Sequence, residues 1–203
     1  MVLYIIRHGE TEWNKLKRLQ GQTDIPLAGE GIRLAKLTGE AMREFEMDMV
    51  ISSPLKRAVQ TAQLLTEGRD IPILTDERIQ EISFGEWEGE SILTSEVLPP
   101  DFRRLFYENP LACICPPGGE TFDEVRIRTG DFYKSILENP EYADKHILIS
   151  THGAAGRCFL THFYEDKDDI WRGGVPKNCA VTIVKVTDGT AEVLEKDRLF
   201  YDC

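Results

Sequence analysis

Val2-Leu3-Tyr4-Ile5-Ile6-Arg7-His8-Gly9-Glu10-Thr11 is an apolar run that stops at a pair of basic residues and a glycine. A run this short, rich in β-branched and aromatic residues, predicts a buried strand rather than an amphipathic helix. The pattern recurs at Met49 to Ile51, Ile71 to Leu74, Ile147 to Ile149 and Val181 to Val186. Helical spacing fills the gaps: Ile32, Leu34, Ala35, Leu37 and Ala41, then Ala58, Ala62 and Leu65. Strands alternating with helices predict an α/β fold, a three-layer α/β/α sandwich around a mostly parallel central sheet.

Local signals refine this outline. Ser53 before Pro54 predicts the start of a helix there. Phe122, Val125, Phe132, Ile136 and Leu137 predict a helix from Glu120 to about Leu137. Ala191 to Glu195, joined to the preceding strand through Asp188-Gly189, reads as an antiparallel hairpin addition. Prolines break the stretch from Glu90 to Pro117 at Pro99-Pro100, Asn109-Pro110 and Pro116-Pro117, so it reads as an excursion over the sheet edge. The whole of 1–203 reads as one domain with this variable excursion at about 90–117.

A net charge of −11 argues against nucleic acid and anionic membranes as partners, and makes any local basic pocket a candidate anion site. No apolar run approaches the roughly 20 residues that span a bilayer. The five cysteines, Cys113, Cys115, Cys158, Cys179 and Cys203, lack C-x-x-C pairs, and the N-terminus lacks a signal-peptide pattern. Reduced thiols in the cytoplasm are the expectation, with no metal site. Monomer and homodimer both remain open.

The chemistry is expected at strand exits, because the crevice at the carboxyl ends of strands in an open parallel sheet is where ligands bind. One strand exits into Arg7-His8-Gly9, another through Thr151 into His152-Gly153, so both imidazoles reach the same edge. Glycine after each histidine lets the backbone turn away without covering the ring. Ser52-Ser53-Pro54-Leu55-Lys56-Arg57 is a third strand exit and puts Arg57 in the first turn of a helix, a placement that favours an anion. Glu81 sits among Ile82, Phe84 and Trp87, whose burial around it would favour a general acid.

Arg7-His8-Gly9-Glu10-Thr11 resembles the signature of the histidine phosphatase superfamily, the phosphoglycerate mutase-like family. The resemblance runs on through Trp13-Asn14, Gln20-Gly21, Leu27, Gly31, Ser52 to Ala58, Thr61-Ala62 and Glu81 to Gly89. It continues through Pro117-Gly118-Gly119-Glu120-Thr121 to His152-Gly153, Arg157 and Pro176-Lys177-Asn178-Cys179. It implies a phosphoglycerate mutase-like fold, His8 as nucleophile, Arg7, Arg57 and His152 as a phosphate pocket, and Glu81 as proton donor. Asn14, Gln20, Gly21 and Gly153 are expected to bind substrate, whereas Glu10 orients local structure and His146 and His162 match no family site. The implied chemistry needs no metal and no cofactor.

The same pocket serves a phosphatase acting on a small phosphorylated metabolite and a cofactor-dependent phosphoglycerate mutase. About 28 residues separate Gly89 from Gly118, too few for the mutase branch's longer covering segment, and Gly118-Gly119-Glu120-Thr121 resembles the phosphatase branch. Hydrolysis is favoured. Arg103-Arg104 pulls the other way as a possible second anion contact. A non-catalytic phospho-ligand binding module is a third reading, opposed by the retention of His8, Arg7, Arg57, Glu81 and His152.

Overall fold

The computed structural model describes residues 1–202; Cys203, counted above among the reduced thiols, lies outside them. The regular elements are β1 (Val2–Arg7), α1 (Glu12–Lys15), α2 (Gly29–Ala41), β2 (Met49–Ser52), α3 (Lys56–Leu65), β3 (Ile73–Thr75) and α4 (Phe102–Glu108). They continue with α5 (Phe122–Glu138), β4 (His146–Thr151), α6 (Ala154–Leu160), β5 (Val181–Thr187) and β6 (Thr190–Arg198).

The six strands form one sheet in the order β3-β2-β4-β1-β5-β6. Strands β1 to β4 pair in parallel, while β5 and β6 add an antiparallel edge. Because side chains alternate across a strand, β1 sends Leu3 and Ile5 to one face and Tyr4 and Ile6 to the other. The first pair packs with Phe132 and Ile136 of α5 and Phe159 of α6. The second packs with Leu34 and Ala35 of α2 and Ala62 and Leu65 of α3. These are the three layers expected from the sequence. Among the described residues no helix is long and apolar enough to cross a membrane.

Three boundaries differ from the expectations. Pairing of β3 starts at Ile73 rather than Ile71, because Pro72 has no N–H to give and contributes its carbonyl alone, to Val50 N. Helix α3 starts two residues after Pro54: Leu55 is its N-cap, and Ser53 Oγ is turned to Leu55 N and the His152 ring. The excursion does not lie over a sheet edge. It contains α4, whose Phe102 and Phe106 pack on Trp87, Phe122 and Trp171 with ring centroids 5.1 to 5.6 Å apart. That third apolar cluster lies beside the strand exits, so the excursion walls the cleft there.

Helix α2 enters directly against the loop that follows β1. Ala28 N donates to Glu10 O, and a Cβ on Gly31 would run into the backbone of Glu10. Gly31→Ala is therefore expected to cost about 1–3 kcal/mol of stability and to lower catalytic efficiency, by pushing α2 off the His8 loop. Urea denaturation and steady-state kinetics check this; wild-type behaviour in both would show that the contact has slack.

Candidate active site

Register sets the site. In the β1–β4 pairing Arg7 faces Thr151, and His8 N donates to Thr151 O at 2.9 Å. The two strands therefore release their histidines together, with the His8 and His152 rings 5.2 Å apart and both buried. His8 Nδ1 lies 2.7 Å from Gly9 O. A carbonyl oxygen accepts and cannot donate, so the hydrogen is on Nδ1 and the lone pair on Nε2. The Gly9 peptide that fixes this tautomer is itself held by Gly9 N donating to Thr61 Oγ1 at 2.9 Å, and Asn178 Nδ2 donates to His8 O at 3.0 Å.

Both arginines are bound by main-chain oxygens. Arg57, fully buried, donates to Gly21 O and Thr23 O at 2.6 and 2.9 Å, and Arg7 donates to Pro176 O. Arg7 Nε and Arg57 Nε are buried with no hydrogen-bond partner in the protein. Burial pushes the Arg57 guanidinium down to about 10, with Glu81, Asp24 and Glu88 opposing it, so the group stays charged at neutral pH. The His8 imidazole is held well below its ordinary value, first by burial and then by Arg57 and Arg7. His8 is a neutral base beside two cations.

His152 is also held well below its ordinary value, by burial and then by Arg57 and His8. The lowered value favours the neutral ring in this state: a cation there would add to a pocket already positive. His152 does not line the cleft. Its Nε2 lies 2.7 Å from Ser53 Oγ, and its Nδ1 is buried without a partner.

Glu81 is likewise placed otherwise than expected. Its carboxylate accepts from Gly153 N, Ala154 N, Ala155 N and Ile82 N at 2.8 to 3.2 Å. Ile82, Phe84 and Trp87 pack into the third apolar cluster instead of surrounding it. The start of α6, a main-chain donor set, fixes the carboxyl group.

The cleft, of about 660 Å³, brings together Arg7, His8, Arg57, Glu81, Asn14, Gln20, Gly21 and Gly153. Asn14 Oδ1 accepts from Thr11 N and Asn178 Nδ2, and Gln20 Oε1 accepts from Thr11 Oγ1. Gly21 takes a left-handed φ of 52°, and a Cβ there would strike the Glu88 carboxylate. Arg103 and Arg104 do not line the cleft: both are exposed, and Arg104 pairs with Asp101 at 3.7 Å. Phe102 and Phe106 claim the buried face of α4 and leave the two arginines exposed. Tyr107, Phe106 and Trp171 wall the cleft, with the cations Lys17, Arg18 and Lys177.

The family model for the histidine phosphatase superfamily (branch 1) matches residues 3–197. The chain belongs to that superfamily. It is 36% identical over 157 residues to a Bacillus subtilis (strain 168) protein named uncharacterized phosphatase PhoE, covering 77% of this chain and 74% of the relative. It is 34% identical over 160 residues to the probable phosphoglycerate mutase GpmB of Proteus mirabilis (strain HI4320), covering 78% and 73%. Among solved structures it is similar to Bacillus stearothermophilus YhfR, at 33% identity and a TM-score of 0.87 over 95% of each chain. The chain is thus a histidine phosphatase superfamily enzyme of phosphatase or phosphoglycerate mutase type.

Within this member of the histidine phosphatase superfamily, Glu88 is a residue that sequence reasoning missed. Its carboxylate accepts from Gln22 N, Thr23 N, Phe84 N and the Thr23 hydroxyl, fastening the loop whose carbonyls hold Arg57. Three glutamates crowd the segment Glu81 to Glu88, and sequence offers no means of telling which of them fastens the loop at Gln22 and Thr23. Among the described residues no cluster of three or more His, Cys, Asp or Glu could hold a metal ion, and Cys113 and Cys115 are free thiols.

The depressed histidines set a pH dependence of stability. Unfolded, each imidazole takes up a proton below its ordinary 6.5, whereas folded His8 and His152 do not. Stability is thus complete above that value and is lost as pH falls below it. Urea unfolding between about pH 7.5 and 5 should show this loss, and His8→Gln should remove up to about 1.4 kcal/mol per pH unit of the slope. An unchanged slope would mean that folded His8 carries a proton.

Proposed function

We propose that this enzyme hydrolyses phosphomonoesters of small metabolites through a phosphohistidine on His8. The observation that carries the reading is the His8 tautomer: Nδ1–H is tied to Gly9 O, and neutral Nε2 is left beside two guanidiniums. Nε2 attacks phosphorus in line, a P–N bond forms, and the ester P–O bond breaks. Arg7 and Arg57 stabilise the charge on the phosphoryl oxygens through this loose transition state, and the arriving dianion favours the imidazolium form of His152. Glu81, in its protonated form, gives its proton to the departing alkoxide. Its carboxylate then takes a proton from water, whose oxygen attacks the phosphohistidine and releases inorganic phosphate. Asn14, Gln20, Gly21 and Gly153 surround the phosphoryl group, and no step calls for a metal or cofactor.

Two observations support hydrolysis over phosphoryl return. The segment between Gly89 and Gly118 is short, and neither Arg103 nor Arg104 lines the cleft. Phe106, Tyr107 and Trp171 offer the leaving group rings instead. The mutase alternative keeps one support, since Lys17, Arg18 and Lys177 line the same cleft and suit a second anionic group. The free thiols of Cys113, Cys115, Cys158 and Cys179 suit a reducing cytoplasm.

A panel of phosphomonoesters in excess EDTA, with 3-phosphoglycerate tested with and without its bisphosphate primer, discriminates the readings. Phosphate release should survive chelation and fall to background in His8→Ala. Negligible release with 2-phosphoglycerate appearing in the primed reaction would establish the mutase, and no turnover of any ester would revive the binding module.

A further inference from the structure

The Gly118-Gly119-Glu120-Thr121 turn and the middle of α5 hold a half-buried ion pair outside the cleft wall. Arg128 and Glu120 have side chains 18% and 23% exposed, and neither lines the cleft. All five N–H donors of Arg128 are used. Nε donates to Glu120 Oε1 at 2.8 Å, and Nη1 donates to Arg78 O and Gln80 O at 2.8 and 2.7 Å. Nη2 donates to Glu81 O and Glu120 Oε2, each at 3.0 Å. Glu120 Oε2 also accepts from Ser83 N at 2.9 Å and Gln22 Nε2 at 3.3 Å, and Gln22 Nε2 reaches Glu81 O at the same distance.

The carbonyls of Arg78, Gln80 and Glu81 thus end on one rigid planar fork, while the N–H of Ser83 ends on that fork's own counter-ion. Past the short turn Glu77–Ile79, the main chain around Glu81 has no strand or helix to hold it until Gly85. The Glu81 carboxylate is gripped by α6 from one side, and its backbone is gripped by Arg128 from the other. Proton transfer needs the donor within hydrogen-bond reach of the leaving oxygen, and a displacement of about 1 Å is costly.

We propose that Arg128, seated by Glu120, is a positioning residue for Glu81, fixing the main chain on both sides of it so that its carboxyl group meets the leaving oxygen. This rests on the reading of Glu81 as proton donor. Lysine cannot replace the fork, because one ammonium cannot span three carbonyls and a bidentate carboxylate.

The test compares kcat/KM for p-nitrophenyl phosphate, whose leaving anion needs no proton, with that for β-glycerophosphate, whose alkoxide does. In Arg128→Gln and Arg128→Lys the ratio of alkyl to nitrophenyl efficiency should fall about tenfold or more, and in a Glu81→Gln background Arg128→Gln should leave the ratio unmoved. Should Arg128→Gln fail to fold, Glu120→Gln gives the same readout. An equal loss on both substrates, or a ratio restored by lysine, would overturn the proposal: charge or general stability would then suffice. A wild type that hydrolyses neither ester would instead sink the underlying phosphatase reading.

Discussion

Parallel pairing of β1 with β4 is the constraint on which the site depends. With Arg7 opposite Thr151, the chain leaves both strands at one level, and His8 and His152 are buried 5.2 Å apart. A slip of one residue would flip Leu3 and Ile5 to the other face and dismantle both core layers, so the apolar pattern that folds the sheet also fixes the imidazoles. Catalytic geometry and core packing are thus secured by the same ladder.

Concentrating cations at that edge carries an electrostatic cost, which the structure limits in two ways. The imidazoles remain neutral, and the guanidiniums are held by carbonyls at Gly21, Thr23 and Pro176. Among the described residues neither Arg7 nor Arg57 forms an ion pair with a carboxylate, whereas Arg128 and Arg157, outside the cleft wall, do so at 2.8 and 2.7 Å. An arginine already paired would have to surrender its partner to bind phosphate; one held by backbone keeps its charge for the substrate. The carboxylates of Glu88 and Glu120 act one layer further out, on the loops that present those carbonyls and Glu81.

The layers, the sheet edge and the placement of His8, Arg7 and Arg57 in one cleft were legible in the sequence, because each rests on a local pattern: a short apolar run, a glycine after histidine, a helix after a strand; the place of Glu81 there came with the family resemblance. What was not legible depends on contacts between distant segments. Ser53 looks like a helix cap until the His152 ring, far along the chain, takes its hydroxyl. Glu81 looks buried in hydrocarbon until α6 brings three N–H groups to it. Arg103 and Arg104 are a possible second anion contact in the sequence, which does not show that Phe102 and Phe106 take the buried face of α4 and leave both arginines exposed. Glu120 and Arg128 are eight residues apart and carry no signal that their targets are the carbonyls around Glu81.

The identity of the phosphorylated atom tests the tautomer argument most directly. Enzyme mixed with a turned-over phosphomonoester, quenched in alkali and examined by peptide mapping and by nitrogen–proton correlation NMR reports both the residue and the ring nitrogen. Phosphate on Nε2 of His8 is the expected result. Phosphate on Nδ1 of His8, on His152, or on no histidine at all would contradict the role of the Gly9 carbonyl in directing the attacking lone pair to Nε2.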